Sequence, residues 1–142
     1  MNLPREVQRV LTGAHRWVFD WSKGRLAGRV SGMPVVKLTT TGRRSGQPRH
    51  TMLATPVHDD RRIVLVASDG GAPHNPSWYL NLRQDPRVTA TLSGRDRSMV
   101  ARTATPEEKA ELWPQVVAAY RGYAGYQAKT ERDIPLVILE PA

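Results

Sequence analysis

The sequence predicts an α+β fold that is mainly β: a small barrel of about six mostly antiparallel strands, with an N-terminal helix and two further helices. Three observations lead there. From Val35 onward the apolar residues come in β-branched or alternating runs, and short turn sequences of hairpin type separate them. No strand–helix–strand alternation is present, which disfavours a doubly wound parallel sheet. With 142 residues the chain is long enough for one ordinary hydrophobic core but not two. A single domain over residues 1–142 is therefore expected, with a basic helix and glycine-rich link at 1–34 and the barrel at 35–142.

The expected strands are Val35–Thr40, Arg49–Val57, Arg62–Ala67, Arg87–Leu92, Ser98–Thr103 and Ile134–Leu139. Asp59-Asp60 and Ser93-Gly94-Arg95-Asp96 supply turn chemistry between them. Before the strands, Val7, Val10, Leu11, Ala14, Trp17, Val18 and Trp21 fall at helical spacing with arginines between, an amphipathic basic helix that Gly24, Gly28, Gly32 and Pro34 end in a link. A second helix is expected from Asn75-Pro76 to about Gln84, with Asn75 as cap and Pro76 in the first turn. A third follows Thr105-Pro106-Glu107-Glu108, which has the order of a capping box, and runs to about Tyr120 with a kink or break at Pro114.

Composition narrows the function classes. The chain has no cysteine, so disulfides, thiolate metal sites, iron–sulfur clusters and cysteine nucleophiles are excluded. His15, His50, His58 and His74 lack ligand spacing, so no metal is expected. No apolar run approaches the roughly 20 residues of a membrane-spanning helix, and the N-terminus lacks the apolar segment of a secretory signal, so a cytoplasmic protein is expected. The net charge is +8, and its excess is N-terminal: residues 1–50 hold ten Lys/Arg and two acids, whereas residues 51–142 hold eleven of each. Such polarisation points to an anionic partner, whether a phosphorylated cofactor, a membrane surface or a nucleic acid, or else to a solvated basic face.

Three segments carry candidate chemistry. Leu38 to Arg49 (LTTTGRRSGQPR) is a loop between strands with two glycines, four hydroxyls and three arginines. Phosphate needs such groups: glycines let backbone N–H groups approach, hydroxyls donate, and guanidinium groups make charge-assisted bidentate contacts. It is neither a Walker A loop nor a dinucleotide fingerprint, and its alternative is an exposed turn with solvated arginines. Ala67 to Tyr79 is a glycine-bearing strand end opening into a helix, where Trp78 and Tyr79 stack on a ligand ring or fill the core. Tyr120, Tyr123 and Tyr126, spaced by three with glycines between, place phenols near one side of a mobile turn. A serine–histidine–aspartate hydrolase assembled from Ser68, His74 and Asp69 lacks a nucleophile elbow, and no acid pair suits glycoside chemistry.

In joint order and spacing, Leu38–Arg49, Asn75-Pro-Ser-Trp-Tyr-Leu-Asn-Leu82 and Trp113-Pro-Gln through Tyr126-Gln127 resemble the deazaflavin-dependent nitroreductases of actinobacteria, which use coenzyme F-420. The resemblance covers about Val35 to Pro141. It implies the split β-barrel fold of flavin-mononucleotide-binding reductases, and hydride transfer from the reduced deazaflavin to quinones, unsaturated lactones or nitro compounds. On the same basis the phosphate-and-tail loop falls on Arg43, Arg44, Ser45, Gly46, Gln47 and Arg49. The cofactor-lining strand and turn fall on Met52, Val66, Ala67, Ser68, Asp69, Ser77 and Trp78. The substrate-side tyrosines fall on Tyr120, Tyr123 and Tyr126, with Tyr123 as the proton donor. Asp69 departs from the pattern, standing where members often have lysine, and so does Ala54, where an aromatic can occur.

The expected enzyme is a deazaflavin-dependent reductase whose small-molecule acceptor is electron-poor and lipophilic, with Trp78, Trp17 and Trp21 as its apolar wall. The alternatives are a split-barrel protein binding flavin mononucleotide or haem, and a non-catalytic basic module. A nucleic-acid module is disfavoured because the barrel segment is neutral in sum. Loose attachment of the basic helix to anionic membrane is compatible with quinone reduction.

Overall fold

The computed structural model describes residues 29–142, with side chains from Ser31 onward; the expected N-terminal helix, including Trp17 and Trp21, lies outside the described residues. Eight strands form one sheet: β1 (Arg29–Val30), β2 (Met33–Thr41), β3 (Pro48–Ala54), β4 (Val57–His58), β5 (Ile63–Val66), β6 (Arg87–Leu92), β7 (Arg95–Thr103) and β8 (Leu136–Pro141). Their order is β1-β2-β6-β7-β8-β5-β4, with β3 paired to β2 off this path, and every pairing is antiparallel. The helices are α1 (Ser77–Gln84), α2 (Pro106–Ala119) and α3 (Gly122–Lys129), with a 3-10 turn at Asp69–Gly71.

The six expected strands are all present, and β1 and β4 add two short ones. The glycine-rich link does not extend to Pro34. Ser31 and Gly32, at φ 51° and 83°, make a two-residue hairpin turn that joins β1 to β2, so the barrel begins at Met33 or earlier. Ser93 and Gly94, at φ 52° and 76°, turn β6 into β7 in the same way. Asp59 closes the β4–β5 hairpin by accepting from the backbone N–H groups of Arg61 and Arg62.

The sheet rolls into a split barrel, and Thr55, only 1% exposed, ties the start of β2 to β4 and β5. Its N–H donates to Pro34 O at 2.9 Å, and its hydroxyl faces Val64 O at 2.8 Å and Val57 O at 2.9 Å. Strands β5 and β8 are buried on both faces. Ile63, Leu65, Val137 and Leu139 join Val36, Leu38, Val88, Ala90 and Met99 inside the barrel, which α1 plugs with Tyr79 and Leu82. The alternate residues Val64, Val66, Leu136 and Ile138 carry an outer layer formed by Leu112 and Val116 of α2 and Tyr123 of α3. This double burial explains why both strands read as continuous apolar runs.

The helix ends follow local chemistry, with three departures. At α2 the capping box forms as expected: Thr105 Oγ1 accepts from Glu108 N at 3.1 Å and Glu108 Oε1 accepts from Thr105 N at 2.9 Å. Pro114 does not break α2, which continues as one helix to Ala119. At α1 the helix starts at Ser77 with Pro76 as its cap; Asn75 makes no cap because its Oδ1 accepts from Arg132 Nη1 at 2.8 Å. The tyrosine segment is not a mobile turn but the regular helix α3.

Arg102 joins the sheet to α2 with a two-point pair to Glu108 (2.7 and 2.9 Å) and a contact to Glu140 at 2.7 Å. That guanidinium, followed by the Thr105 N–H, lowers the Glu108 carboxyl from 4.5 to about 2. A depressed carboxyl contributes stability that is complete above the unfolded value and is lost as pH falls through the folded one. The stability difference between the wild type and Glu108→Gln, followed by urea denaturation, is therefore expected to be full above pH 4.5 and to shrink as pH approaches 2.

Candidate active site

The β2–β3 connection is a compact hairpin loop. Gly42 N donates to Gln47 O and Gly46 N to Gly42 O, both at 2.8 Å. Gly46 holds φ 72°, a conformation that glycine adopts without strain. At Gly42 a Cβ would lie 2.6 Å from Ser45 Oγ. Ser45 Oγ in turn accepts from Gln47 N at 3.1 Å and Arg49 Nη2 at 3.2 Å, so one hydroxyl organises both sides of the loop.

A buried amide on α1 anchors this loop. Asn81 is 5% exposed; its Nδ2 donates to Thr40 Oγ1 at 3.2 Å, while its Oδ1 accepts from Arg43 N at 3.2 Å and Arg43 Nη1 at 2.9 Å. Gln84 Nε2 adds a bond to Arg43 O at 3.3 Å. Arg43 is thus a strut between loop and helix as well as a cation.

Loop, helix and β3 enclose a cavity of about 630 Å³ lined by Arg43, Arg44, Arg49, Ser45, His50, Thr51, Ser77, Trp78 and Asn81, among others. The lining holds three arginines and no carboxylate. Among the described residues none of the three pairs with an acid, and Arg44 has no hydrogen-bond partner. Clustered cations without a counter-charge make a site for an anion. His50 stands beside them, its Nδ1 2.9 Å from Thr39 Oγ1.

The Ala67–Asn75 loop is held from outside. Arg132 donates from Nε to Ala72 O (2.9 Å), from Nη1 to Asn75 Oδ1 (2.8 Å) and from Nη2 to Ser68 O (2.8 Å). Within it Asp69, Gly70 and Gly71 all take positive φ, at 44°, 64° and 85°. Asp69 is exposed, and Ser68 is buried. A Cβ on Gly71 would lie 2.9 Å from Tyr126 O, so α3 packs directly on this loop.

The three tyrosines form one cluster. Tyr120 stands edge-on to Tyr123 with ring centroids 5.3 Å apart, and Tyr126 lies 6.2 Å from Tyr123. The Tyr120 and Tyr126 hydroxyls are 3.5 Å apart and half-buried. Tyr123 is 7% exposed, and its hydroxyl donates to Met33 Sδ at 3.8 Å. Burial, reinforced by its two phenol neighbours, pushes the Tyr123 phenol up to about 12.

The arginine loop, Ser77 and Trp78 therefore share one cavity, whereas Val66 and the tyrosines share the outer core; Ala67 belongs to the barrel interior, and Met52 sits half-buried on β3 between the two sites. Sequence reasoning missed Asn81, Arg132, His50 and Thr51. Asn81 had a readable signal, since an amide four residues after Ser77 falls on the face of α1 that also carries Trp78 and Leu82. Arg132 had none, because its partners lie 57 to 64 residues away.

The structure is thus an all-antiparallel split barrel with a cationic pocket at one hairpin, the kind of fold and site in which a protein can hold an anionic cofactor. Residues 12–141 match the profile of the family described as F420H(2)-dependent quinone reductase, and the chain belongs to that family. An F420H(2)-dependent quinone reductase of Mycobacterium tuberculosis strain H37Rv is 35% identical over 142 residues, covering 96% of this chain and 94% of its own. A solved F420-H2 dependent reductase (FDR-A) is 40% identical with a TM-score of 0.69, covering 75% of this chain and 94% of that one. The haem storage protein of Vibrio cholerae shares the fold alone, at 17% identity and a TM-score of 0.54 over 87% of this chain and 88% of that one. The chain is an oxidoreductase whose cofactor is coenzyme F-420.

Replacing Asn81 by leucine strands the Thr40 hydroxyl and the Arg43 N–H. We expect about 1–3 kcal/mol of lost stability in urea denaturation, together with weaker coenzyme binding in a fluorescence titration.

Proposed function

We propose that the cavity beside α1 holds the phosphate and acidic tail of coenzyme F-420, and that the tyrosine cluster receives a quinone-type acceptor. The observation that carries this reading is a pocket with three arginines and no carboxylate. The donor set fits the group: Arg44 and Arg49 offer guanidinium edges with little else to bind, Ser45 offers a hydroxyl, and the glycine loop lets its backbone approach. Strand β3 runs roughly 20 Å from Pro48 to Ala54 at the rise of an extended strand, with Pro48–Thr51 in the pocket and Ala54 against the outer core. Met52 lies along that path.

When bound in reduced form the coenzyme supplies the hydride for the acceptor. The chain's own residues do the rest. The arginines hold the anionic end, and Trp78, half-buried and edge-on to Tyr79 at 6.3 Å, offers an apolar wall. Reduction of a quinone, enone or nitroarene places negative charge on an acceptor oxygen, which a donor must meet. Tyr123 is assigned that role. Its proton stays in place at neutral pH, and its present acceptor is a thioether, which a better acceptor oxygen displaces readily. Tyr120 and Tyr126 are assigned to contact with the acceptor.

A charge-assisted contact contributes roughly 1.5–3 kcal/mol, so Arg44→Ala and Arg49→Ala are each expected to weaken coenzyme binding about tenfold or more. A fluorescence titration of oxidised coenzyme against flavin mononucleotide measures this, and unchanged affinity in both variants removes the tail assignment. For Tyr123→Phe we expect coenzyme affinity close to wild type and reduction of menadione slower by roughly 10²-fold in stopped-flow measurements. A normal rate there, with a fall in Tyr120→Phe or Tyr126→Phe, moves the proton to another member of the triplet.

A further inference from the structure

The first turn of α3 contains a close approach that the functional reading leaves unused. A Cβ built on Gly122 would fall on Cε2, Cζ and the hydroxyl oxygen of Tyr120, closer than any real Cβ stands to a neighbour. Such distances are far inside van der Waals contact, so the ring occupies the space that any other residue at position 122 would fill. Gly122 has no positive φ to explain its presence. The backbone there is ordinary helix, for which glycine is a poor choice. Gly125, in the same helix, has open space where its Cβ would stand. The two glycines are therefore physically different: one accommodates a ring and the other accommodates nothing.

We propose that Gly122 is a positioning residue that shapes the acceptor side of the site, because only glycine lets the Tyr120 ring fold back across the first turn of α3. In that place the ring makes its edge-on contact with Tyr123 and brings its hydroxyl within 3.5 Å of Tyr126. A methyl group at position 122 meets the far end of a side chain with two rotatable bonds, so the ring swings outward and the backbone stays. The fold does not suffer, because alanine is the stronger helix former. What changes is the wall presented to the acceptor. The inference rests on the assignment of the tyrosine cluster to the acceptor side.

The test compares Gly122→Ala with Gly125→Ala, Tyr120→Ala and wild type in the full chain. Near-ultraviolet circular dichroism and spectrophotometric titration of the four phenols read the ring directly. The Tyr126 phenol is held up first by its hydrogen bond with Tyr120, so it is expected to titrate lower in Gly122→Ala. We expect altered aromatic dichroism, unchanged or higher resistance to urea, unchanged coenzyme affinity, and a KM for menadione raised about fivefold or more. Gly125→Ala is expected to match wild type throughout. Unaltered dichroism and titration in Gly122→Ala overturn the proposal, and so does an equal change in Gly125→Ala, which would assign the effect to helix stiffening. Altered spectra with menadione kinetics unchanged in both Gly122→Ala and Tyr120→Ala overturn the acceptor-side assignment while leaving the ring placement intact.

Discussion

Everything beyond the barrel depends on the burial of β5 and β8 on both faces. Their alternation sends Ile63, Leu65, Val137 and Leu139 inward and Val64, Val66, Leu136 and Ile138 outward. A shift of one residue in either strand would exchange these sets and leave the helical layer without its floor. The register is held at both ends of the ladder, by Ala67 N donating to Pro135 O and by the four β5–β8 pairs from Ile63↔Leu139 to Val66↔Leu136. Tyr123 packs on that outer surface, so the position of the aromatic site is inherited from strand register.

A second constraint, polar and local, fixes the anionic site. The arginine loop takes a definite shape from Asn81 at one end and Ser45 at the other, the preorganisation that the proposed phosphate site would need before its ligand arrives. Buried amides are costly unless satisfied, and Asn81 has a partner for its oxygen and for its nitrogen. The arginines therefore differ in kind. Arg43 is already engaged with α1, whereas Arg44 and Arg49 present most of their donors to the cavity.

What was legible in the sequence was what local chemistry decides. The hairpin turns at Asp59 and at Ser93-Gly94, the capping box at Thr105 and the alternating strands need only near neighbours, and they stand where the pattern put them, whereas the Ser31-Gly32 turn falls within what the pattern reads as a link. The arginine loop was legible for the same reason, since its groups lie within Thr39–Arg49. Where long-range partners compete, local reading failed. Asn75 has a capping residue's chemistry, but Arg132 takes its side chain from 57 residues away. The tyrosine segment carries two glycines and looks like a turn, yet α3 becomes a helix because Gly71 gives its backbone a place to pack and Tyr123 has a core to enter. Gly71 and Gly122 are steric requirements, and a steric requirement is visible only once the neighbour is in place.

In the proposed reading, the arginine pocket at one end of β3 and the tyrosine cluster beyond its other end divide the tasks of holding and reacting. On that reading, charge-assisted contacts at the Arg44–Arg49 end would act on a part of the coenzyme that takes no part in the chemistry. Their effect at the other end is orientation, because an anchored tail limits where the rest of the molecule can lie along β3. The reacting end has different needs: apolar surroundings, a donor that keeps its proton, and little competing charge. The tyrosine cluster would meet these needs, since it packs against an apolar core and the Met33 sulfur is the partner of its most buried hydroxyl. Placing arginines beside Tyr123 would favour its phenolate and weaken it as a donor. On the proposed reading, separation along β3 would let the same chain bind an anion at the arginines and still hold a neutral phenol where charge develops.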